Sequence, residues 1–519
     1  MLGWRARNLG LSSLLLLSAA ACGESSKGGA VDDNDLTSVT ARSRTLEFEG
    51  TVYVAANADD LTIMQAVRTQ AQTAFGPLRT QNMAVNSREL KTIDASTFKK
   101  RPVQVVDGSK KTDMLEVKYT YSDNAVVSAD YSDRSAVALA IMNPSYKLQL
   151  DRVLSECTAN DEEAREFRSS IWYVFEPKLD RCQDAIRKEQ AKVDADRRKL
   201  KDPRKQVAQS DVDRLYLPIQ ARLGADKTNQ GSSYPDYDRL FAGGVQKDKL
   251  VISFVYGMIN HDASSGPEAD PNWEELTTML VESAQGFKVV PGGDDVDLSH
   301  FQLPSGKKID HASFDDLVAV HSGNSKLDLD YEEARELDHE LAERLEGKWL
   351  IVERQADVTI GSAASRNFAI QYMIYFGAGS SSQPHRYAIK SSDVFLYNGH
   401  SSIGYGPLDP KNFTAADFPS TYQIMWVDSC VSYNYYEKDY IPLKQGGTKN
   451  LDLITNGIEA PAWRSGHAMA QFVNRLTDGS GASYRDLLLA AEATESLRVV
   501  DGELDNTWTP ANKVTIAKK

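Results

Sequence analysis

The stretch LYNGHSSIG, residues 396–404, runs from an apolar segment through an Asn-Gly turn to a histidine, His400. A second stretch, YQIMWVDSC (residues 422–430), is again an apolar segment, and it ends in Cys430. In an open α/β sheet, functional side chains lie where parallel strands end and loops meet over a crevice. If the two segments are adjacent parallel strands, His400 and Cys430 meet at one edge of the sheet.

The residues that flank these stretches follow the order of an α/β sheet with helices on its faces. KLVISFVYGMI (249–259) is apolar throughout, as in a strand buried on both faces, and NWEELTTMLVESAQG (272–286) has the pattern of an amphipathic helix. The runs WLIVERQADVTIG (349–361) and NFAIQYMIYFG (367–377) have the spacing of a hairpin. Residues 246–519 are therefore predicted to form an α/β domain with a mostly parallel sheet flanked by helices.

The preceding half of the chain has a different pattern of apolar, polar and charged residues. Residues 44–145 contain runs such as TLEFEGTVYV that alternate apolar and polar residues at period two, which predicts a small α+β domain. Residues 146–245 are highly charged, and Ile186, Val193 and Leu200 recur every seven residues. That repeat predicts a short helical hairpin followed by a linker, with the role of a spacer or cap between domains.

The N-terminus has the organisation of an export sequence. Arg5 and Arg7 precede the apolar run LGLSSLLLL, and the small residues SAAAC end at Cys22, which divides a secretory segment (1–22) from a polar tether (23–43). The SAAAC end resembles the bacterial lipobox, with Ala19 where leucine is usual. The resemblance implies that Cys22 is diacylated and anchors the mature chain to a membrane of the bacterial cell envelope, the outer membrane being favoured. The alternative is an ordinary secretion sequence in which Cys22 is a bystander.

Composition excludes several classes of function. The chain has 519 residues and a formal net charge of −14, whereas a phosphate backbone selects a basic face, so nucleic acid is not an expected partner. Beyond the N-terminus no apolar run is long enough to cross a bilayer. The histidines lack the spacing of metal ligands and no phosphate-binding or dinucleotide-binding glycine motif occurs, so neither a metal nor a cofactor is predicted.

The four cysteines divide into different roles. Cys22 belongs to the export sequence, and Cys157 and Cys182 flank one segment that a turn at Pro177 folds back, which predicts a local disulfide. Cys430 remains unpaired. In an oxidising compartment a free thiol is a liability unless it is buried or used, so Cys430 is either a structural core cysteine or a nucleophile.

A histidine beside Cys430 would complete a nucleophilic site. Imidazole has the pKa range needed to remove the thiol proton, and the backbone N–H groups of the loop at Ser401 and of Cys430 could stabilise an oxyanion. The rival base is His321, which also follows an apolar run, in DDLVAVHSG.

Both motifs resemble those of a known family. YNGHSS and VDSCVS are similar to the two signature strands of the caspase-like cysteine peptidases, the clan of caspases, legumains and gingipains, and the spacing of thirty residues is closest to the gingipain type. The similarity is clear over residues 390–500. Over residues 247–390 it rests only on the order of the strand-like and helix-like segments. It implies that His400 is the general base and acid and Cys430 the nucleophile, with the N–H groups of Ser401 and Cys430 as oxyanion donors. Ser401 stands where the family has glycine, and a positive φ there would be strained.

Specificity has one candidate residue. Glu459 follows the apolar run LDLITNG after the nucleophile, and as the wall of a primary pocket it would favour Arg or Lys before the cleaved bond; the alternative is a solvated loop glutamate. Together these features predict a membrane-anchored cell-envelope cysteine endopeptidase that acts on a peptide or protein substrate. The alternative is a non-catalytic surface lipoprotein, with an adhesion or envelope-assembly role, on a degenerate peptidase fold. The oligomeric state stays open.

Overall fold

The computed structural model describes residues 35–260, 266–491 and 496–519. The predicted export sequence, its Cys22 and the tether up to residue 34 lie outside these residues. Within the described residues, no helix has both the length and the apolar character that a membrane span requires.

The N-terminal unit is a seven-stranded sheet with helices packed on it. Its strands have the order β6-β8-β2-β5-β4-β7, with β3 on β5. The elements up to residue 223 are β1 (Thr37–Ser38), β2 (Ala41–Ala55), α1 (Asp60–Gln72), α2 (Phe75–Arg79), β3 (Met83–Val85), β4 (Lys99–Asp107), β5 (Lys110–Ser128), β6 (Ala136–Met142), α3 (Leu150–Cys157), α4 (Asp161–Glu166), α5 (Ile171–Val174), α6 (Asp180–Arg197), β7 (Gln206–Ala208), α7 (Gln209–Asp213) and β8 (Tyr216–Leu223).

This unit extends beyond the boundary predicted at residue 145. Strand β8 pairs antiparallel with β6 and β2, so residues 216–223 belong to the same sheet as residues 41–142. The predicted helical hairpin is not formed: α6 buries Ile186 and Val193, contacts strands β7 and β8 as well as α3 and α7, and ends before Leu200. The seven-residue spacing misled because an apolar stripe fits a sheet as well as it fits a second helix.

The C-terminal unit is a ten-stranded mixed sheet of order β1-β18-β17-β16-β15-β9-β14-β13-β10, with β19 on β13. Its elements are α8 (Tyr237–Leu240), β9 (Lys249–Met258), α9 (Pro271–Ser283), β10 (Lys288–Val289), β11 (His300–Gln302), β12 (Lys308–Asp310), α10 (Phe314–Val318), α11 (Tyr331–Leu345), β13 (Lys348–Ile360), β14 (Arg366–Ala378), α12 (Ser382–Ser391), β15 (Val394–Asn398), β16 (Gln423–Asp428), α13 (Ser432–Tyr435), α14 (Glu437–Tyr440), β17 (Leu451–Asn456), α15 (Ser465–Leu476), α16 (Tyr484–Ala490), β18 (Arg498–Asp501) and β19 (Val514–Lys518). The small hairpin β11–β12 stands apart from it.

The parallel part of this sheet is its centre. Strands β14, β9, β15, β16 and β17 run parallel to their neighbours in that order, whereas the outer pairs are antiparallel. The α/β class is confirmed, and so is the β13–β14 hairpin, but the sheet is mixed rather than mostly parallel. Every residue of β16, and every residue of β9 except the two at its ends, is buried because both faces of the sheet are covered.

Two different layers cover the two faces. Helices α9, α11, α15 and α16 pack on one face and form one apolar core with the central strands. On the other face, the N-terminal unit joins the C-terminal unit in a single second core, in which Met83 and Val126 share a cluster with Tyr397 and Val427. Strand β1 also pairs with β18, Thr37 opposite Val500, so residues 35–43 are part of the fold and not of the predicted tether. The N-terminal unit is therefore a layer of the sheet that carries the candidate site.

Candidate functional site

His400 and Cys430 follow neighbouring strands of the central sheet. Strands β15 and β16 are parallel, and Asn398 at the end of one lies opposite Asp428 at the end of the other. Each candidate residue stands two positions beyond its strand's last residue. Both therefore lie at the carboxyl edge of the sheet, where an α/β fold positions functional loops.

His400 is exposed and faces an open cavity. The cavity has a volume of about 480 Å³, and Tyr397, Ser402 and Tyr405 line it together with His400. The His400 ring nitrogen Nε2 lies 3.3 Å from the carbonyl oxygen of Ile259, and the Tyr397 hydroxyl donates to the His400 carbonyl at 3.0 Å. The imidazole is thus held at the rim of a space that is large enough for a peptide side chain.

The loop after His400 carries its strain beyond Ser401. Ser401 has φ −75°, so the serine at the position where the resembling motif has glycine is not strained. The left-handed region begins at Ser402 (φ 48°) and Ile403 (φ 53°), and a β-branched residue there costs on the order of 1–3 kcal/mol. Tyr436 holds the loop, since its hydroxyl donates to the Ser401 carbonyl at 3.0 Å. Backbone strain of this kind is typical of functional sites, where the surrounding structure holds the backbone in an unfavourable conformation.

Cys430 is partly buried against the core that the two units share. Burial raises the pKa of its thiol to about 11; the Ala460 backbone N–H lowers it, while the Glu459 and Asp428 carboxylates raise it further. The thiol is therefore protonated at neutral pH. Val431, the next residue, has φ 52°, so a strained β-branched residue also follows the cysteine.

The two candidate side chains are not bonded to each other. Among the described residues, no hydrogen bond joins the Cys430 sulfur to His400, whose ring contact is the Ile259 carbonyl. Cys430 does not line the cavity that His400 faces. The sheet brings the two residues to one edge, and their side chains lie in different surroundings there.

The two backbone N–H groups predicted as oxyanion donors form no hydrogen bond within the described residues. In residues 35–260, 266–491 and 496–519, the backbone N–H groups of Ser401 and Cys430 donate to no protein acceptor. By contrast, the N–H of Val431 donates to the Ile458 carbonyl at 3.0 Å. A free N–H at each strand end is what an oxyanion site requires.

Buried polar residues support the strand ends, and sequence reasoning missed them. Asp428 accepts from Asn456 Nδ2 at 2.7 Å and from Arg498 Nη2 at 3.3 Å, and Asn398 donates to Asn272 at 2.9 Å. Asn398, Asp428 and Asn456 are each the last residue of an apolar strand. That recurring polar end was the sequence pattern that could have revealed them.

Glu459 pairs with a residue of the N-terminal unit. The Arg79 guanidinium of α2 forms an ion pair with the Glu459 carboxylate, and Arg79 Cζ lies 4.7 Å from the centre of the Tyr173 ring. Glu459 is thus not simply a solvated loop residue. No sequence pattern links residues that are 380 positions apart, so Arg79 was absent from the prediction.

The rival base His321 belongs elsewhere. Its Nδ1 lies 2.7 Å from Asp338, which raises the pKa of His321, and Asp338 also accepts from Trp273 Nε1 at 2.9 Å. Trp273 is in the helical core on the opposite face from Cys430. The alternative that pairs His321 with Cys430 is therefore wrong.

The remaining cysteine prediction is confirmed. Cys157 and Cys182 form a disulfide, and both are fully buried. Within the described part of the chain, no three His, Cys, Asp or Glu side chains gather in a way that could hold a metal ion.

Fold and site together define an α/β protein with a cysteine and a histidine at adjacent strand ends. Compared with protein-family models, curated proteins and solved structures, the chain matches none of them. Its function is therefore argued from the site itself.

Proposed function

We propose that this chain is a cysteine endopeptidase of the caspase-like class and that the present conformation is its latent form. The observation that carries the proposal is the parallel register of β15 and β16, which brings His400 and Cys430 to one sheet edge. The free N–H groups of Ser401 and Cys430 and the open cavity beside His400 support it.

The proposed reaction needs only these groups. His400 removes the Cys430 proton, the thiolate attacks the peptide carbonyl carbon, and the oxyanion accepts from the N–H groups of Ser401 and Cys430. The C–N bond then breaks, and His400 transfers its proton to the leaving amine, which leaves a thioester on Cys430. Water, deprotonated by His400, hydrolyses the thioester and regenerates the thiol.

Activation must change the surroundings of the thiol. With a pKa of about 11, ionising Cys430 at pH 7 costs about 5 kcal/mol. A nearby imidazolium stabilises a thiolate, so a movement that brings His400 next to Cys430 and hydrates the sulfur lowers that cost. Latency in this proposal is the separation of the two side chains.

A second candidate is a non-catalytic binding lipoprotein that uses the same fold. The protonated, partly buried thiol without a bond to His400 favours it. In that case the cavity beside His400 receives a partner and Cys430 is a core residue. The proposed location is the same for both candidates, a lipid anchor at Cys22 in the cell envelope.

Labelling of Cys430 separates the two functions. The full-length chain is incubated with a peptide acyloxymethyl ketone before and after limited proteolysis, and the labelled residue is identified by mass spectrometry. The variants are His400→Ala and Cys430→Ala, with His321→Ala as the matched histidine control. Labelling at Cys430 that needs His400 but not His321 supports the peptidase. A native and a nicked chain that both stay unlabelled would favour the binding protein.

A further inference from the structure

One segment of the N-terminal unit contacts both loops of the candidate site. We call residues 75–91 the cap segment; it comprises α2, β3 and the turn that follows. On the His400 side its Arg88 is 5% exposed, donates to the Gly404 carbonyl, and lies 4.3 Å from the centre of the Tyr405 ring. Arg88 Nη2 also lies 3.4 Å from Asp409. The loop that follows His400 is therefore bound to the N-terminal unit.

On the Cys430 side the contact is made by Arg79. Its side chain is 17% exposed, and its guanidinium is paired with Glu459. Glu459 immediately precedes Ala460, whose N–H acts on the Cys430 thiol, and both Arg79 and Glu459 influence that thiol electrostatically. The ion pair is thus adjacent to the candidate nucleophile.

The contact leaves no room for a peptide. Between α2, α5 and the residues after Cys430 there is a void of only about 10 Å³, lined among others by Leu78, Trp172, Val431 and Tyr435. A void of that size holds at most about one water molecule. A substrate that approaches Cys430 from this side must therefore displace the cap segment.

The cap segment is itself braced. Helix α2 packs on α5 so closely that a Cβ at Gly76 would lie 2.6 Å from the Phe175 carbonyl oxygen. Helix α5 carries Tyr173, whose ring backs the Arg79 guanidinium, and lies within the loop that the Cys157–Cys182 disulfide closes. Arg79 is therefore presented to Glu459 by a rigid support.

We propose that Glu459 forms a subsite for a cationic side chain and that Arg79 occupies this subsite from within the chain. A guanidinium matches a carboxylate in charge and in its planar fork of donors. Because the subsite adjoins Cys430, it receives the side chain next to the cleaved bond. The substrate class is then a peptide with Arg or Lys before that bond, and it competes with the cap segment. The assignment of this substrate class rests on the proposed function, but the cation subsite can be tested without catalysis.

The test uses the full-length chain and three thiol reagents. Two are acyloxymethyl ketone peptides that differ only in lysine or norleucine beside the reactive carbonyl, and the third is iodoacetamide. The proteins are wild type, Arg79→Ala, and Arg79→Ala combined with Glu459→Gln. Lys91→Ala is the matched control, because Lys91 forms another ion pair of the cap segment, with Asp439 rather than with Glu459. Labelling is counted at Cys430 only.

Arg79→Ala is expected to accelerate labelling by the lysine peptide about tenfold more than labelling by the norleucine peptide, since a paired charge is worth about that factor. Adding Glu459→Gln removes this preference, and Lys91→Ala behaves as wild type. Equal gains for both peptides, or no gain with any reagent, would overturn the subsite.

Two further arms separate this inference from the proposed function. Adding His400→Ala to Arg79→Ala tests the base: if peptide labelling keeps both its rate and its lysine preference without His400, the subsite stands and the catalytic role of His400 fails. If Arg79→Ala does not fold, Glu459→Gln alone breaks the same ion pair from its more exposed partner. It is then expected to speed iodoacetamide labelling relative to Lys91→Ala even above the thiol pKa, where losing the Glu459 charge no longer changes the thiolate fraction. An unchanged rate there would refute the shielding of Cys430 by the cap segment.

Discussion

Removing the Cys157–Cys182 disulfide tests how strongly the cross-link holds helix α5, which packs behind Arg79. The double variant Cys157→Ala, Cys182→Ala opens a loop whose ends are 25 residues apart and which contains α5. Alanine is chosen because both sulfurs are fully buried, and a serine hydroxyl there would add the cost of an unpaired polar group.

The size of the effect follows from the loop length. Closing a loop of this size removes chain entropy worth about 3.5 kcal/mol from states in which the loop is unfolded. Local opening of residues 158–181 should become more favourable by about that amount. Amide exchange through local opening would then be faster by about two and a half orders of magnitude.

Hydrogen exchange by mass spectrometry measures this directly. Peptides from residues 158–181 are compared between the double variant and wild type, and peptides from β9 serve as the internal control for global unfolding. An acceleration below about threefold would show that packing of α5, rather than the cross-link, holds the segment, and the entropy argument would be wrong. Equal acceleration in β9 would mean that the whole fold had been weakened.

Three other changes have expected outcomes. The rate of Cys430 alkylation by iodoacetamide should rise with pH through about 11 in the native chain and near pH 8.5 in urea; coincident profiles would contradict the burial of the thiol. Asp428→Ala leaves the buried Arg498 guanidinium without its carboxylate and should lower the free energy of unfolding by about 3–5 kcal/mol, measured by urea denaturation with Asp428→Asn as the milder control. Burial raises the pKa of Glu275 to about 7, so the folded chain favours the protonated carboxyl. The free energy of unfolding is therefore unaffected by Glu275 below its ordinary pKa and decreases as the pH rises through 7. Glu275→Gln, which can still accept from the Gly466 N–H, should therefore gain about 3 kcal/mol relative to wild type at pH 8 and nothing at pH 4, and a pH-independent difference would refute this.

Local patterns predicted the elements that depend on neighbouring residues. The alternation in TLEFEGTVYV became β2, with its alternating burial, and the apolar run at residues 249–259 became β9, which is buried except at its two end residues. The spacing of the two runs around residue 364 became the β13–β14 hairpin, and the nearby cysteines became a disulfide. Each of these features involves residues that are close along the chain, so periodicity and spacing contain the necessary information.

The sequence also determined the two strand ends that carry His400 and Cys430, because parallel strands present their carboxyl ends on one side. It did not determine the relation between their side chains. Whether the Cys430 thiol is solvated or buried beneath the N-terminal unit depends on how the two units pack against each other. The residues next to Cys430 in the sequence contain no information about that packing.

The tertiary structure alone decided that the N-terminal unit packs over the Cys430 side of the site and binds the loop after His400. Arg79 and Arg88 reach Glu459 and the loop after His400 across more than 300 residues of chain. Strand β8 joins the first sheet although it lies in the region predicted to be a separate helical spacer. An apolar face shows that something must cover it, but hydrophobic burial is non-directional, so only the folded chain selects the partner.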